Sequence, residues 1–281
     1  MSNTLENKND KKITLKVYRE NRGKNTGSHY DTFEVPYKKW TTVLDALLHV
    51  KSYMDPSVAI RYSCRMASCG SCGMKINGMP KLACYTKISE LETSTIECEP
   101  LPNFPIIRDL VTDFSRFFNH HKNMQPYIQE NNAVEAKDDT NKGTFSFYQS
   151  PEDVDKYLQF SYCIKCGLCY SACPTVGTDV NFPGPQALAQ EYRYFADTRD
   201  ESKNRLNIVD DRHGIWRCHF AGSCSKVCPK GVDPALGIQL LRSYMLGISK
   251  NNKVPAKKIQ IDNDNNDNND NNTNNISKDT E

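Results

Sequence analysis

The chain has 281 residues, 25% of them charged and 38% hydrophobic, with a formal net charge of +2. That length accommodates two ordinary domains, the composition is globular rather than fibrous or membrane-embedded, and a charge so near zero gives no footprint for nucleic acid. No apolar run approaches the ~20 residues that span a bilayer, and residues 1–12 are polar, without the apolar core of a secretory signal, so a reducing cytosol is the expected compartment.

Residues 12–20 alternate as a strand with Ile13, Leu15 and Val17 on one face. A turn through Gly23 and Gly27 leads to a second strand near residues 30–35, which makes a hairpin. Thr41 or Thr42 can cap a helix whose apolar face is Val43, Ala46, Leu47, Val50 and Met54. A cysteine-rich loop over 64–72 follows, then a short hairpin turning at Asn77–Gly78, and residues 95–97 close the sheet as its last strand. Strands around one helix suggest a small α+β domain ending near residue 100.

Beyond it, residues 103–105 open a helix carrying Leu110, Val111, Phe114, Phe117 and Phe118, and the polar stretch 131–143 reads as a surface loop or linker. Ser150, Pro151 and Asp153 supply an N-cap, a proline at N1 and an acid at N3. Helices are expected near 186–195 and over 234–248, the latter with Leu236, Leu240, Tyr244 and Ile248 on one side. From Asn251 the chain is Asn/Asp low complexity, with 11 Asn in 31 residues, and reads as a solvated, disordered end.

Eleven of the twelve cysteines fall into three groups. Disulfides are rare where thiols are kept reduced, so such spacings point to metal or redox chemistry. Zinc also suits four thiolates, but zinc sites usually pair two C-x2-C knuckles, and none of these groups does so. Cys64, Cys69, Cys72 and Cys84 read C-x4-C-x2-C-x11-C, the plant-type [2Fe–2S] pattern. Ser63, Ala67, Ser68, Gly70, Ser71 and Gly73 lie between and beside them, small enough for the backbone to wrap a cluster and aim N–H groups at its sulfurs. Such bonds, with the charges of Arg61 and Arg65, raise a reduction potential.

Cys163, Cys166, Cys169 and Cys173, followed by Pro174, form the bacterial ferredoxin run, in which the fourth cysteine serves the other cluster. Cys228, before Pro229, is placed like Cys173, so the two can cross over. That gives Cys163, Cys166, Cys169 and Cys228 as a [4Fe–4S] set. It leaves Cys173, Cys218 and Cys224, with Ala221 where a fourth ligand would stand. A [3Fe–4S] centre fits this set best; a [4Fe–4S] centre with water or another side chain on its fourth iron is the alternative. Cys98, in an apparent strand, reads as a small buried hydrophobe.

With these motifs the chain closely resembles the iron–sulfur subunit of the succinate dehydrogenase and fumarate reductase family. The resemblance covers residues 12–248 and rests on the three motifs in order, with the missing ligand in the last. It includes the Tyr-Ser-Cys-Arg-Met-Ala run at 62–67, Asn-Phe-Pro-Ile at 103–106 and Cys-Pro-Lys-Gly-Val-Asp-Pro at 228–234. It implies an α+β chain: a plant-type [2Fe–2S] ferredoxin (β-grasp) domain over 12–105, a mostly helical bacterial-ferredoxin domain over 106–250, and a tail over 251–281. It also implies a flavoprotein partner with covalent FAD that interconverts succinate and fumarate, and a membrane-anchor partner where a quinone is the electron partner. The chain would then sit peripherally on the cytoplasmic face of the cell membrane.

Pro174, His219 and Arg242 match positions that approach the quinone in family members, the last usually Lys; His219 equally fits a role in tuning the neighbouring cluster. Family dehydrogenases often carry Trp where Thr178 stands, and the Arg-Met-Ala stretch at 65–67 looks more like the fumarate reductases. The chain carries no G-x-G-x-x-G motif after a strand and no dicarboxylate-binding His/Arg constellation, so the acid–base chemistry is expected on another polypeptide. A stand-alone multi-cluster ferredoxin, an electron-transfer subunit of another membrane-linked oxidoreductase, and a zinc-stabilised scaffold are the competing readings. Companion subunits and colour distinguish them.

Overall fold

Alternation builds the first strand, β1 (Lys11–Asn21), whose Ile13, Leu15 and Val17 are buried while their neighbours are not. The computed structural model describes residues 11–21, 26–129, 149–200, 202 and 204–248. The turn at Gly23, the linker expected over 131–143 and the Asn/Asp-rich end from Asn251 lie outside these residues.

β2 (Thr26–Tyr37) takes in Gly27 and pairs antiparallel with β1, Leu15 opposite Phe33 and Ile13 opposite Val35. α1 (Val43–Tyr53) begins at a capping box: Thr42 accepts from Asp45 N–H and the Asp45 carboxylate accepts from Thr42 N–H, a cap worth about 1 kcal/mol. It buries Val43, Leu44, Ala46, Leu47 and Val50 against the sheet, whereas Met54 is the C-cap and is exposed.

β3 (Gly73–Ile76) and β4 (Met79–Leu82) form the expected two-residue hairpin, with Asn77 at φ 46° and Gly78 at φ 81°. Positive φ at both central residues matches the right-handed twist of the strands. β5 (Thr95–Glu99) pairs parallel with β1 and antiparallel with β3, and places Cys98 fully buried beside Val17. Cys98 belongs to the hydrophobic core, and burial pushes its thiol up to about 12.

The sheet does not end at β5. β6 (Ile106–Arg108) and β7 (Val111–Thr112) extend it, with Arg108 opposite Asn21, where a helix carrying Leu110 and Val111 was expected. The reason is local. Phe104 precedes Pro105 and so avoids the α region, and Asp109 sits at φ 48°, which breaks any helix across it. The helix, α2, starts only at Ser115 and runs to Asn123. Asp109 is used here: its carboxylate accepts from Glu20 N–H (3.1 Å) and Ala59 N–H (2.8 Å) and lies 3.3 Å from Arg19 Nε. Arg19 also donates to Asp31 and Asp55, each at 2.6 Å, so one buried guanidinium pins the segment that leads into the first cysteine loop.

The remainder is helical: α3 (Pro151–Asp155), capped by Ser150 as expected, α4 (Leu158–Ser161), α5 (Leu168–Ser171), α6 (Pro174–Thr178), α7 (Pro185–Phe195), α8 (Arg205–Val209), α9 (Ser223–Lys226) and α10 (Pro234–Met245). α7 is the hub: every residue from Pro185 to Tyr192 is buried, and Phe160 meets Tyr192 edge-on at 5.0 Å. α10 packs on it through Ala235, Gly237, Ile238 and Leu241. A Cβ on Gly237 would come within 2.9 Å of the Phe160 ring, so only glycine permits that approach. Of the stripe read from the sequence, Leu236 and Leu240 are only half-buried at the edge of the core, Tyr244 meets Phe195 edge-on at 4.6 Å, and Ile248 is exposed beyond the end of the helix. Both stripes are apolar, and the smaller residues won the inner face because they allow the two helices to close.

α7 also carries Glu191, fully buried, with Arg205 at 3.7 Å. That arginine spends its hydrogen bonds elsewhere, on Asp200 and on the carbonyls of Met124, Gln125 and Tyr127. Burial therefore dominates and pushes the Glu191 carboxyl up to about 8. Between its ordinary value of 4.5 and that value the folded chain holds a proton the unfolded chain has lost, so stability falls as pH rises across this window. Glu191→Gln is expected to flatten that decline and to melt a few degrees higher than the parent at pH 8. Equal slopes of melting temperature against pH in the two proteins contradict the assignment.

Candidate metal centres

The first cysteine loop is wound by three left-handed residues, Arg65 (φ 58°), Ala67 (φ 56°) and Gly70 (φ 74°), which turn successive N–H groups inward. Cys64 Sγ accepts from Met66 (3.4 Å), Ser68 (3.3 Å) and Cys69 (3.2 Å). Cys69 Sγ accepts from Cys64 and Ser71, both at 3.5 Å. The β3–β4 hairpin returns Cys84 to the loop, where its N–H donates to Cys72 Sγ (3.4 Å) and its own sulfur accepts from Ala67 (3.3 Å). All four expected residues of the first set are thus brought together, each sulfur accepting from at least one backbone N–H.

The other seven cysteines divide between two cavities. The larger, about 420 Å³ counted out to solvent, is lined by Cys163, Cys166, Cys169 and Cys228. The smaller, about 320 Å³, is lined by Cys173, Cys218 and Cys224, with Ala221 in the wall and Pro174 and His219 at its exposed rim. Arg242 does not line it. Its guanidinium donates to the carbonyls of Ile215 (2.5 Å) and Cys218 (2.7 Å), holding the loop that carries His219 from behind.

All twelve cysteines are free thiols. Burial pushes Cys72 and Cys166 up to about 12 and Cys224 up to about 11, which disfavours a bare thiolate at these positions. Yet the amide hydrogens aimed at the first set treat sulfur as an acceptor, the arrangement suited to thiolates whose charge a metal neutralises. Among the described residues no three His, Cys, Asp or Glu side chains converge on a point where one ion could be held. Sulfurs spread around a cavity fit a multi-iron cluster, in which the iron atoms share the protein ligands.

Three residues shape these sites through contacts that the sequence reading did not assign. Asn103 Nδ2 donates to the carbonyls of Tyr170 (3.3 Å), Ser171 (2.9 Å) and Cys173 (3.2 Å), fastening the end of the cysteine run to the strand layer. Gln186, buried on α7, lines the larger cavity and places Nε2 3.2 Å from His121 Nδ1. Gly70 lies against Cys166. An asparagine just before a Phe-Pro pair is the local sequence signal that points to a turn at Asn103, which the structure places at φ 66°; the roles of the other two depend on tertiary packing.

The comparisons with known proteins agree with this geometry. Residues 14–119 match the model of the 2Fe-2S iron-sulfur cluster binding domain, and residues 159–232 that of the 4Fe-4S dicluster domain. The chain is therefore a multi-centre iron–sulfur protein. It is 44% identical over 231 residues to the fumarate reductase iron-sulfur subunit of Haemophilus influenzae, spanning 80% of this chain and 90% of that one. The Mycobacterium tuberculosis fumarate reductase iron-sulfur subunit is 39% identical over 81% of this chain and 90% of its own length. The mitochondrial succinate dehydrogenase [ubiquinone] iron-sulfur subunit of Dictyostelium discoideum is 36% identical over 85% and 84%. A chain of the Mycobacterium smegmatis Sdh1 complex in the apo form shares the fold, with a TM-score of 0.73 at 24% identity, covering 86% of this chain and 98% of that one. The chain belongs to the family of fumarate reductase and succinate dehydrogenase iron–sulfur subunits.

Asn103→Leu removes the amide donor from the Ser171 and Cys173 carbonyls, at a cost of about 1–3 kcal/mol for each buried acceptor left unpaired, while the Tyr170 carbonyl keeps its bond from Cys173 N–H. The variant is expected to melt several degrees lower and to lose its visible absorption sooner on warming. A melting temperature equal to the parent's contradicts the role given to Asn103.

Proposed function

We propose that this chain is the electron-transferring subunit of a succinate–fumarate–quinone oxidoreductase, accepting or delivering electrons between a covalent-FAD flavoprotein and a membrane quinone. The observation that carries this reading is the division of the cysteines: four in the first loop, four around the larger cavity, and three around the smaller one with Ala221 in its wall. Cys64, Cys69, Cys72 and Cys84 would hold a [2Fe–2S] centre, and Cys163, Cys166, Cys169 and Cys228 a [4Fe–4S] centre. Cys173, Cys218 and Cys224 would hold a [3Fe–4S] centre, since an alanine methyl cannot ligate iron. When bound, such clusters exchange single electrons at potentials set by ligands, hydrogen bonds and burial.

What the chain's own residues do follows from their placement. The seven amide N–H···S contacts of the first loop stabilise added negative charge and so raise that centre's potential. The second set is deeper: Cys169 is held far above its ordinary value by burial, which disfavours charge there. At the third set, Pro174 and His219 stand at the rim where a quinone could approach. Arg242 acts indirectly, by fixing the carbonyls of Ile215 and Cys218. His219 can offer a hydrogen bond or pass a proton there, and Thr178 stands where family dehydrogenases often carry Trp.

Among the described residues no helix is long and apolar enough to cross a membrane. We assign the anchoring to partner subunits, with this chain peripheral on the cytoplasmic face and docked to them by the end that bears the third set. Isolation of the native complex tests the assignment: a covalent flavoprotein and succinate–quinone activity are expected to co-purify with the chain. Recovery of a lone, fully loaded monomer favours the stand-alone carrier instead. Within the complex, Ala221→Cys is expected to replace the three-iron signal of the oxidised state by a four-iron centre of lower potential. An unchanged three-iron signal contradicts the placement of Ala221.

A further inference from the structure

Gly70 sits in the first cysteine loop, between Cys69 and Cys72, buried and at φ 74°. A Cβ built on it falls 2.7 Å from Cys166 Cβ and 2.8 Å from Cys166 Cα. The two backbones therefore touch with nothing between them, one flanked by thiols of the first set and the other carrying a thiol of the second. Gly73 continues the seam, its own Cβ position lying 3.2 Å from Leu168 Cδ2 and 3.3 Å from the Cys166 carbonyl. The far side of Cys166 is closed in the same way. Gly167, at φ 78°, leaves no room for a Cβ, which would meet Phe114 at 2.7 Å and Phe104 at 2.9 Å. Those rings are stacked at 4.4 Å and belong to the aromatic group that includes Phe117 and Tyr170. The Cys166–Gly167 backbone is thus gripped between a glycine of the first loop and a wall of aromatic rings.

We infer that this grip is a positioning device: Gly70 and the Phe104–Phe114 stack set the separation of the first and second redox centres. The inference rests on the cluster assignment given above. A one-electron hop across the contact oxidises the centre on one side and reduces the centre on the other, with no bond made or broken. Its rate falls steeply with separation, so the closest allowed approach of the two backbones is the quantity that selection can act on. Any side chain at position 70 must move Cys166 away by roughly 0.8 Å to restore ordinary carbon–carbon contact. The glycine is needed twice, for its left-handed backbone and for its missing Cβ. Gly78 separates these two needs. It has φ 81° but nothing within 4 Å of its Cβ position, so Gly78→Ala imposes a comparable backbone cost without touching the seam.

The test compares Gly70→Ala, Gly78→Ala and Phe114→Leu in the intact complex. All centres are quantified by EPR and visible absorption. The magnetic coupling of the first centre to the reduced second centre is then measured, with the rate at which an electron placed on one reaches the other. Gly70→Ala is expected to weaken the coupling and slow the transfer several-fold with both centres present, while Gly78→Ala stays at the parent values. Phe114→Leu loosens the opposite jaw without adding an atom to the first loop and is expected to change both quantities in the same direction. Coupling and rate at parent values in Gly70→Ala and Phe114→Leu overturn the inference. A parent protein that lacks either centre refutes instead the cluster assignment on which it rests.

Discussion

The helical half of this molecule is organised by an exchange: Cys173 leaves its own run to join Cys218 and Cys224, and Cys228 leaves its own run to join Cys163, Cys166 and Cys169. Neither cavity can be completed by a local stretch of chain, so the two segments must fold against each other. The prolines enforce it. Pro174 at the first position of α6 and Pro229 after Cys228 stop each run from continuing as helix and turn the chain toward the other cavity. α7 and α10 then serve as the floor. They pack closely at Gly237, where a Cβ would lie 3.4 Å from Ala189 Cα of α7 and 2.9 Å from the Phe160 ring of α4.

The sheet half solves a different problem. Four sulfurs, two of them on buried cysteines, must be held in one arrangement by a loop with no secondary structure of its own. Left-handed turns aim amide hydrogens at the sulfurs, and the Asn77–Gly78 hairpin brings the fourth cysteine home. Behind the loop, the Arg19 network with Asp31, Asp55 and Asp109 ties four segments together, and breaking such a partly buried network costs more than losing a surface ion pair. The halves meet where small residues permit close approach, Gly70 and Gly73 on one side and Cys166, Gly167 and Leu168 on the other, with Asn103 fastened across three carbonyls.

Much of this was legible in the sequence because it rests on local chemistry. Cysteine spacing, the two Cys-Pro pairs and Ala221 predicted which thiols gather, and the Thr42 and Ser150 caps and the Asn77–Gly78 turn fixed three element boundaries. The misreadings came where two patterns compete. The aromatic run Phe114, Phe117 and Phe118 suggested a longer helix, although Phe104 before Pro105 and the backbone at Asp109 forbid it and place two short strands there. On α10 two apolar stripes were available, and hydrophobicity alone chose the bulkier one; the packing distance to α7 chose Ala235, Ile238 and Leu241. The long-range contacts of Asn103, Gln186 and Gly70 were missed since their partners lie about 70 to 100 residues away along the chain.

The central claim is that three unequal sets of thiols hold three different iron–sulfur centres. A potentiometric EPR titration of the purified complex tests it most directly. The account predicts three separately titrating signals: a plant-type and a four-iron signal that grow on reduction, and a three-iron signal present only in the oxidised state. A colourless protein containing stoichiometric zinc, or a titration in which the oxidised state carries no three-iron signal, would contradict it.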